Sequence, residues 1–165
     1  MPTQSAQRTA DIEAWRKSLP PSRLARPSTP RNMLKYAFWK AYAPLHPYVR
    51  DALLSLHVVR HDCRQRFLLG KLAPGVSPQA LADRLIAQGF GNHFVAWEDA
   101  GELVSLRKPD GFSHQYHIRI FDDGEVRGHY EYTTEYSPLM HYKAVRQEPR
   151  TEEFRAFLGD MVAPA

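Results

Sequence analysis

The clearest alternation in the chain runs from residue 114 to residue 133. Tyr116, Ile118 and Ile120 are apolar at every second position, and after Phe121-Asp122-Asp123-Gly124-Glu125 the alternation resumes with Val126, Gly128 and Tyr130. A period of two is the mark of a strand, so the spacing predicts strands over 114–121 and 125–133. Further short runs predict strands at 66–72, bounded by Pro74-Gly75, and at 93–97 and 102–107 around a loop containing Asp99 and Gly101.

Helical spacing appears elsewhere. Ser77 can cap a helix whose first turn takes Pro78, whose apolar stripe is Leu81, Leu85 and Ile86, and which Gly89 can end. Asn32 is a candidate cap for a helix through Met33, Leu34, Tyr36, Phe38 and Trp39 that Pro44 stops, with Phe38, Trp39 and Tyr42 read as core aromatics. A second helix follows Pro47, with Val49, Leu53 and Leu56 at helical spacing, and a last one is expected over 151–158 with Phe154, Phe157 and Leu158 on one side. A short helix around 9–17 is expected ahead of a stretch containing Pro20, Pro21, Pro27 and Pro30. Helices and strands therefore segregate: the expected fold is α+β, a mostly antiparallel four- or five-stranded sheet with helices on one face. A basic, poorly ordered arm over 1–31 precedes a single domain over 32–165.

The turn between the last two strands decides which side chains share a face. A two-residue Asp123-Gly124 turn would mix apolar and polar residues on both faces. A three-residue loop, Asp122-Asp123-Gly124 with Gly124 left-handed, puts Tyr116, Ile118, Ile120, Val126, Gly128 and Tyr130 on one face. Gln115, His117, Arg119, Arg127, His129 and Glu131 then fall on the other. In that register His117 opposes His129, Arg119 opposes Arg127 and Gln115 opposes Glu131, with Ser105 and Arg107 available from the preceding strand. Two arginines directly across from each other repel unless an anion, a carboxylate or solvent lies between them.

Composition adds a location for charge. The net charge is +4, but residues 1–35 hold seven Lys/Arg against Asp11 and Glu13, so this segment carries +5 and the remainder −1. Such a segment is attracted to phosphate backbones. Among the 165 residues Cys63 is the only cysteine, and the apolar stretch at 52–59 is too short to span a bilayer. The expectation is a soluble, cytoplasmic protein with no membrane association.

Three functional readings follow. In the first, Arg107, Gln115, Arg119 and Arg127 grip a phosphate-bearing ligand, DNA or RNA, while Arg23, Arg26 and Arg31 of the arm track its backbone. In the second, His117, His129 and Glu131 perform phosphodiester cleavage, either as acid and base without metal or around a metal ion, so whether the chain is an enzyme stays open. The third is a protein-interaction module docking through its arm. A polar face kept only for solubility is the bland reading of the same residues. No motif requires a cofactor, and no metal is assigned from spacing alone. His57, His61, His93, His114 and His141 carry no assigned role, His114 because its parity is opposite to that of His117.

Overall fold

A computed structural model describes residues 4–58, 67–92, 99–138 and 149–164. Its centre is a six-stranded antiparallel sheet in the order β2-β3-β4-β5-β1-β6, formed by β1 (Leu68–Leu72), β2 (Gly91–Asn92), β3 (Glu102–Asp110), β4 (His114–Phe121), β5 (Glu125–Tyr132) and β6 (Val162–Pro164). The α+β class stands, but the sheet has six strands rather than four or five. The additional edge strand, β6, is three residues long and ends at Pro164, too short to show any periodicity, and it exists through pairing with Gly70, Lys71 and Leu72. The strand expected over 93–97 lies outside the described residues, as do His61, Cys63 and His141.

The helices are α1 (Gln4–Ser18), α2 (Pro30–Tyr42), α3 (His46–Ser55), α4 (Pro78–Ala87) and α5 (Thr151–Leu158). α4 begins as its sequence indicates: Ser77 Oγ accepts from the Ala80 N–H at 3.1 Å, and Gly89 leaves the helix at φ +92°. α2 begins two residues before Asn32, at Pro30. Thr29 is its cap, accepting from the Asn32 N–H at 3.2 Å, and Pro30 fills the first turn.

α4 and α5 cover one sheet face. Leu81, Ala82 and Leu85 of α4 and Phe154 and Leu158 of α5 bury Val104, Leu106, Ile118, Ile120 and Val126, with Tyr116 and Phe157 at the margin. Gly128 lets α5 approach: a Cβ there would stand 3.0 Å from the Phe154 ring and 2.9 Å from Leu69 Cδ1. The stretch expected to be an arm contains α1, longer than the expected 9–17 helix, and reaches this core. Leu19 is buried in it and Trp15 packs beside it. Arg16 donates to the carbonyls of Glu102 and Leu103, and Pro21 bridges Asn92 beside β2.

α2 behaves differently from the expectation. It buries none of its residues, and Phe38 is exposed. The helix is fastened by its other side, where Tyr36 meets Phe112 edge-on at 6.1 Å and Lys35 Nζ sits 3.3 Å over the Tyr136 ring. Among the described residues no helix is long and apolar enough to cross a membrane.

Candidate metal centre

The β4–β5 hairpin has the three-residue loop. The Gly124 N–H donates to Phe121 O at 3.1 Å, Gly124 lies at φ +82°, and the Glu125 N–H is held by Asp123 Oδ1. The register that follows is Gln115 with Glu131, His117 with His129 and Arg119 with Arg127. β3 adds its own pairs, Ser105 with Arg119 and Arg107 with His117. The face nominated from alternation is therefore one contiguous patch.

That patch is not a solvated surface. Gln115 is fully buried, and Ser105, Arg107, His117, Arg119 and Glu131 are each at least nine-tenths buried. Buried charges need partners, and these have them. Arg107 donates to both oxygens of Glu135 at 3.2 and 3.1 Å, to Gln115 Oε1 at 3.2 Å and to Ser22 Oγ. Arg119 reaches Asp99 Oδ2 at 2.9 Å and Glu102 Oε2 at 3.2 Å. Arg127 donates twice to Glu125 Oε2. The two opposed arginines are thus each neutralised by a carboxylate of the chain, which removes the electrostatic reason for expecting an external anion between them.

Three of these carboxylates escaped the sequence pattern. Glu102 has the parity of Val104 and Leu106, which alone would put it on the apolar face, but a bulge between Glu102 and Val104 resets the strand and brings it to Arg119. Asp99 comes from the loop before β3. Glu135 follows β5 in a turn that Thr133 Oγ1 secures by donating to Phe112 O at 2.8 Å. The signal available in the sequence was the charge imbalance itself: buried opposed arginines require acids nearby.

At the middle of the layer three side chains converge. Glu131 presents Oε1 to His117 Nδ1 at 3.5 Å and Oε2 to His129 Nε2 at 3.2 Å, and one donor atom from each residue lies within 4.8 Å of the others. The imidazoles cross at 79° with centroids 5.0 Å apart. Donors bound tetrahedrally about 2 Å from a common ion sit about 3.3 Å from each other; here the two imidazoles meet different oxygens of the one carboxylate, so Glu131 bridges them and the three donors have to draw together by a small shift to share an ion. Behind them stands a second set of contacts. His117 Nε2 meets Ser105 Oγ at 2.5 Å, and Gln115 Nε2 donates to Glu131 Oε1 at 2.9 Å. Gln115 is oriented in turn by Arg107 and Glu135, so the amide can only present its nitrogen to Glu131.

Burial pushes the His117 imidazole from its ordinary 6.5 down to about 3; the hydrogen bond with Glu131 works in the opposite direction, and the charges of Arg119 and His129 lower it further. The ring is neutral at physiological pH and keeps a lone pair. With the proton on Nδ1 the ring donates to Glu131 and Nε2 accepts from Ser105; an ion held between His117 and Glu131 would need the other tautomer, with Nε2 donating to Ser105 and the lone pair on Nδ1.

The remaining nominated residues stay apart. Arg23, Arg26 and Arg31 are exposed ahead of α2 and in its first turn. His114 stacks on Tyr130 at 5.2 Å on the other face, as its parity requires. No protein-family model matches the chain, and no curated protein or solved structure is similar to it.

Proposed function

We propose that the chain binds a divalent transition-metal ion through His117, His129 and Glu131, and that the centre serves metal-assisted hydrolysis. The convergence of two imidazoles and one carboxylate, held by Ser105 and Gln115, carries this reading. Two histidines and a carboxylate are a common open donor set, borderline in softness and suited to zinc, iron(II) or cobalt(II) rather than magnesium or calcium. Contacts that orient the donors are the usual companions of such sites. An ion with three protein donors keeps a position for water and makes that water a stronger acid. The chain's own residues supply the rest: Ser105 holds the His117 ring at Nε2, the Arg107–Glu135–Gln115 series holds Glu131, and His129 is the least buried of the three. A phosphodiester is the substrate class, because imidazole and carboxylate groups beside an ion suit its acid–base cleavage; Arg119 and Arg127 flank the centre but are neutralised by Asp99, Glu102 and Glu125 and add no net positive charge.

Gripping of a nucleic-acid phosphate by Arg107, Arg119 and Arg127 is the weaker reading, since all three engage carboxylates of the chain. For the metal centre, chelator-stripped protein titrated with cobalt(II) should take up one equivalent with the visible absorption of a low-coordinate site, and His129→Ala should abolish it. Hydrolysis of bis(p-nitrophenyl) phosphate should follow loading with zinc, cobalt or manganese. Absence of any cobalt or zinc uptake by the stripped wild-type protein overturns the proposal; uptake without turnover overturns the hydrolytic part alone.

A further inference from the structure

Along α2, the 3-10 turn Ala43–Leu45 and α3, the backbone remains right-handed helical at Tyr42, Ala43, Leu45 and His46, despite Pro44 and Pro47. Leu34, Phe38, Ala41, Leu45, Tyr48 and Ala52 therefore recur at alternating intervals of four and three on one side of a bent rod, and all of them are exposed. Leu34 is 73 % exposed, Tyr48 75 % and Leu56, at the end of the row, 71 %. Scattered apolar residues on a surface are ordinary, whereas a contiguous row of large ones marks a contact surface. The rod is not merely turned the wrong way, because its opposite side is anchored by Tyr36 on Phe112 and Lys35 on Tyr136.

Charge indicates what covers the row. From Ala14 to Arg50 the chain contains eight Lys/Arg and no Asp or Glu. Arg31, one turn before Leu34, is exposed, as are Arg23 and Arg26 in the segment that leads into α2, whereas Lys40 turns toward the Tyr36 ring on the anchored side. A second copy of the chain laid along this rod would set cations against cations. A nucleic acid would engage the cations but leave Leu34, Leu45 and Leu56 in water. An anionic lipid surface matches both: its acyl boundary takes the apolar row while lipid phosphates and carboxylates take the flanking cations.

We propose that the outer side of α2 and α3 is a docking surface for an anionic lipid bilayer. The rod lies in the plane of the headgroups and does not cross the membrane, with Leu34, Phe38, Leu45 and Tyr48 inserted and Arg23, Arg26 and Arg31 at headgroup level.

The test is co-sedimentation of the full chain with phosphatidylcholine vesicles with and without phosphatidylserine, in low salt, with circular dichroism and thermal unfolding recorded for each variant. Wild type is expected to sediment with the serine-containing vesicles and not with phosphatidylcholine alone. Leu34→Ser/Phe38→Ser should weaken that binding by about tenfold or more, since two inserted side chains lose their transfer free energy, with unfolding unchanged because both residues are exposed. Should that variant misfold, Leu45→Ser/Tyr48→Ser removes the other half of the row. Failure to bind the anionic vesicles overturns the proposal. So does undiminished binding by the folded serine variants, which would leave only adsorption of the basic segment. Dimerisation that the serine substitutions abolish, or binding to RNA in place of vesicles, would assign the surface to those partners instead.

Discussion

Ile118 and Arg119 are neighbours in β4, both are buried, and they face opposite sides of the same sheet. Ile118 meets only hydrocarbon from α4 and α5, and its burial is favourable by itself. Arg119 is buried at the cost of its hydration and is tolerable only because Asp99 and Glu102 reach it. The apolar face excludes water through volume, and its errors are graded. The polar face excludes water through a closed set of ion pairs and hydrogen bonds, in which one missing member strands another. Such a layer adds little net stability for the charge it contains, yet it holds His117, His129 and Glu131 in one arrangement through their shared hydrogen bonds.

The largest expected effect breaks that closure. Arg119→Met leaves the Asp99 and Glu102 carboxylates buried without their cation and should cost about 3–5 kcal/mol in urea unfolding. The triple change Arg119→Met/Asp99→Asn/Glu102→Gln should recover a large part of this. A cost for the single change no greater than that of Ile118→Val, about 1 kcal/mol, would mean that water already reaches the layer and that the contrast between the faces is false.

Acid should separate the faces next. The His117 ring has a folded pKa of about 3 against 6.5 for the unfolded ring. Above pH 6.5 neither state holds the proton. Below it the unfolded chain binds a proton that the folded chain refuses, so stability falls with pH through the window from 6.5 to about 3. The slope from this one group approaches about 1.4 kcal/mol per pH unit well below 6.5. Urea midpoints between pH 7 and 5, measured in chelator, should show this slope in wild type and its reduction in His117→Gln. Equal slopes in the two proteins would place a proton on the buried ring and remove the argument for its neutrality.

How much of this contrast the sequence carries differs between the faces. The apolar side was legible in full outline: alternation identified Tyr116, Ile118, Val126 and Tyr130, and Ser77-Pro78 with Gly89 delimited the helix that covers them. The hairpin register was legible too, because only a three-residue loop keeps both strands in phase. Alternation, however, tells which residues share a face and not what lies over it. The burial of Gln115 and Arg107 depends on Ser22 and Glu135, distant in sequence, and the pairing of Arg119 depends on a bulge that inverts the parity of Glu102. β6 was hidden because three residues have no period, and the exposure of Phe38 because helical spacing is the same whether a stripe meets core, membrane or water.

A milder change tests the packing side. Gly128→Ala places a methyl group 2.9 Å from the His117 backbone oxygen, 2.9 Å from Leu69 Cδ1 and 3.0 Å from Phe154 Cε1, contacts too close for a packed interior. Leu69, α5 and the β4–β5 spacing must give together, and the expected cost is about 1–3 kcal/mol. The methyl meets the backbone of His117 and not its ring, and Gly128 faces away from the imidazoles, so if Leu69 and α5 take up the strain the metal triangle keeps its uptake of cobalt(II). Loss of uptake with little loss of stability would show that the two faces are mechanically coupled through β5 rather than independent.

The smallest effect is the most discriminating. Arg127 stands directly across from Arg119 on the same face and carries the same charge. Its partner Glu125 is two residues away on its own strand at the hairpin end, and the side chains keep 14 % and 18 % of their exposure against 7 % for that of Arg119. Water can therefore replace what Arg127→Gln removes, and the expected cost is about 1 kcal/mol. Set beside Arg119→Met, this comparison holds residue type and sheet face constant and varies chiefly the depth of burial. If Arg127→Gln costs as much as Arg119→Met, depth does not govern the layer, and a requirement for both cations at the hairpin end of the sheet would have to replace closure as the organising constraint.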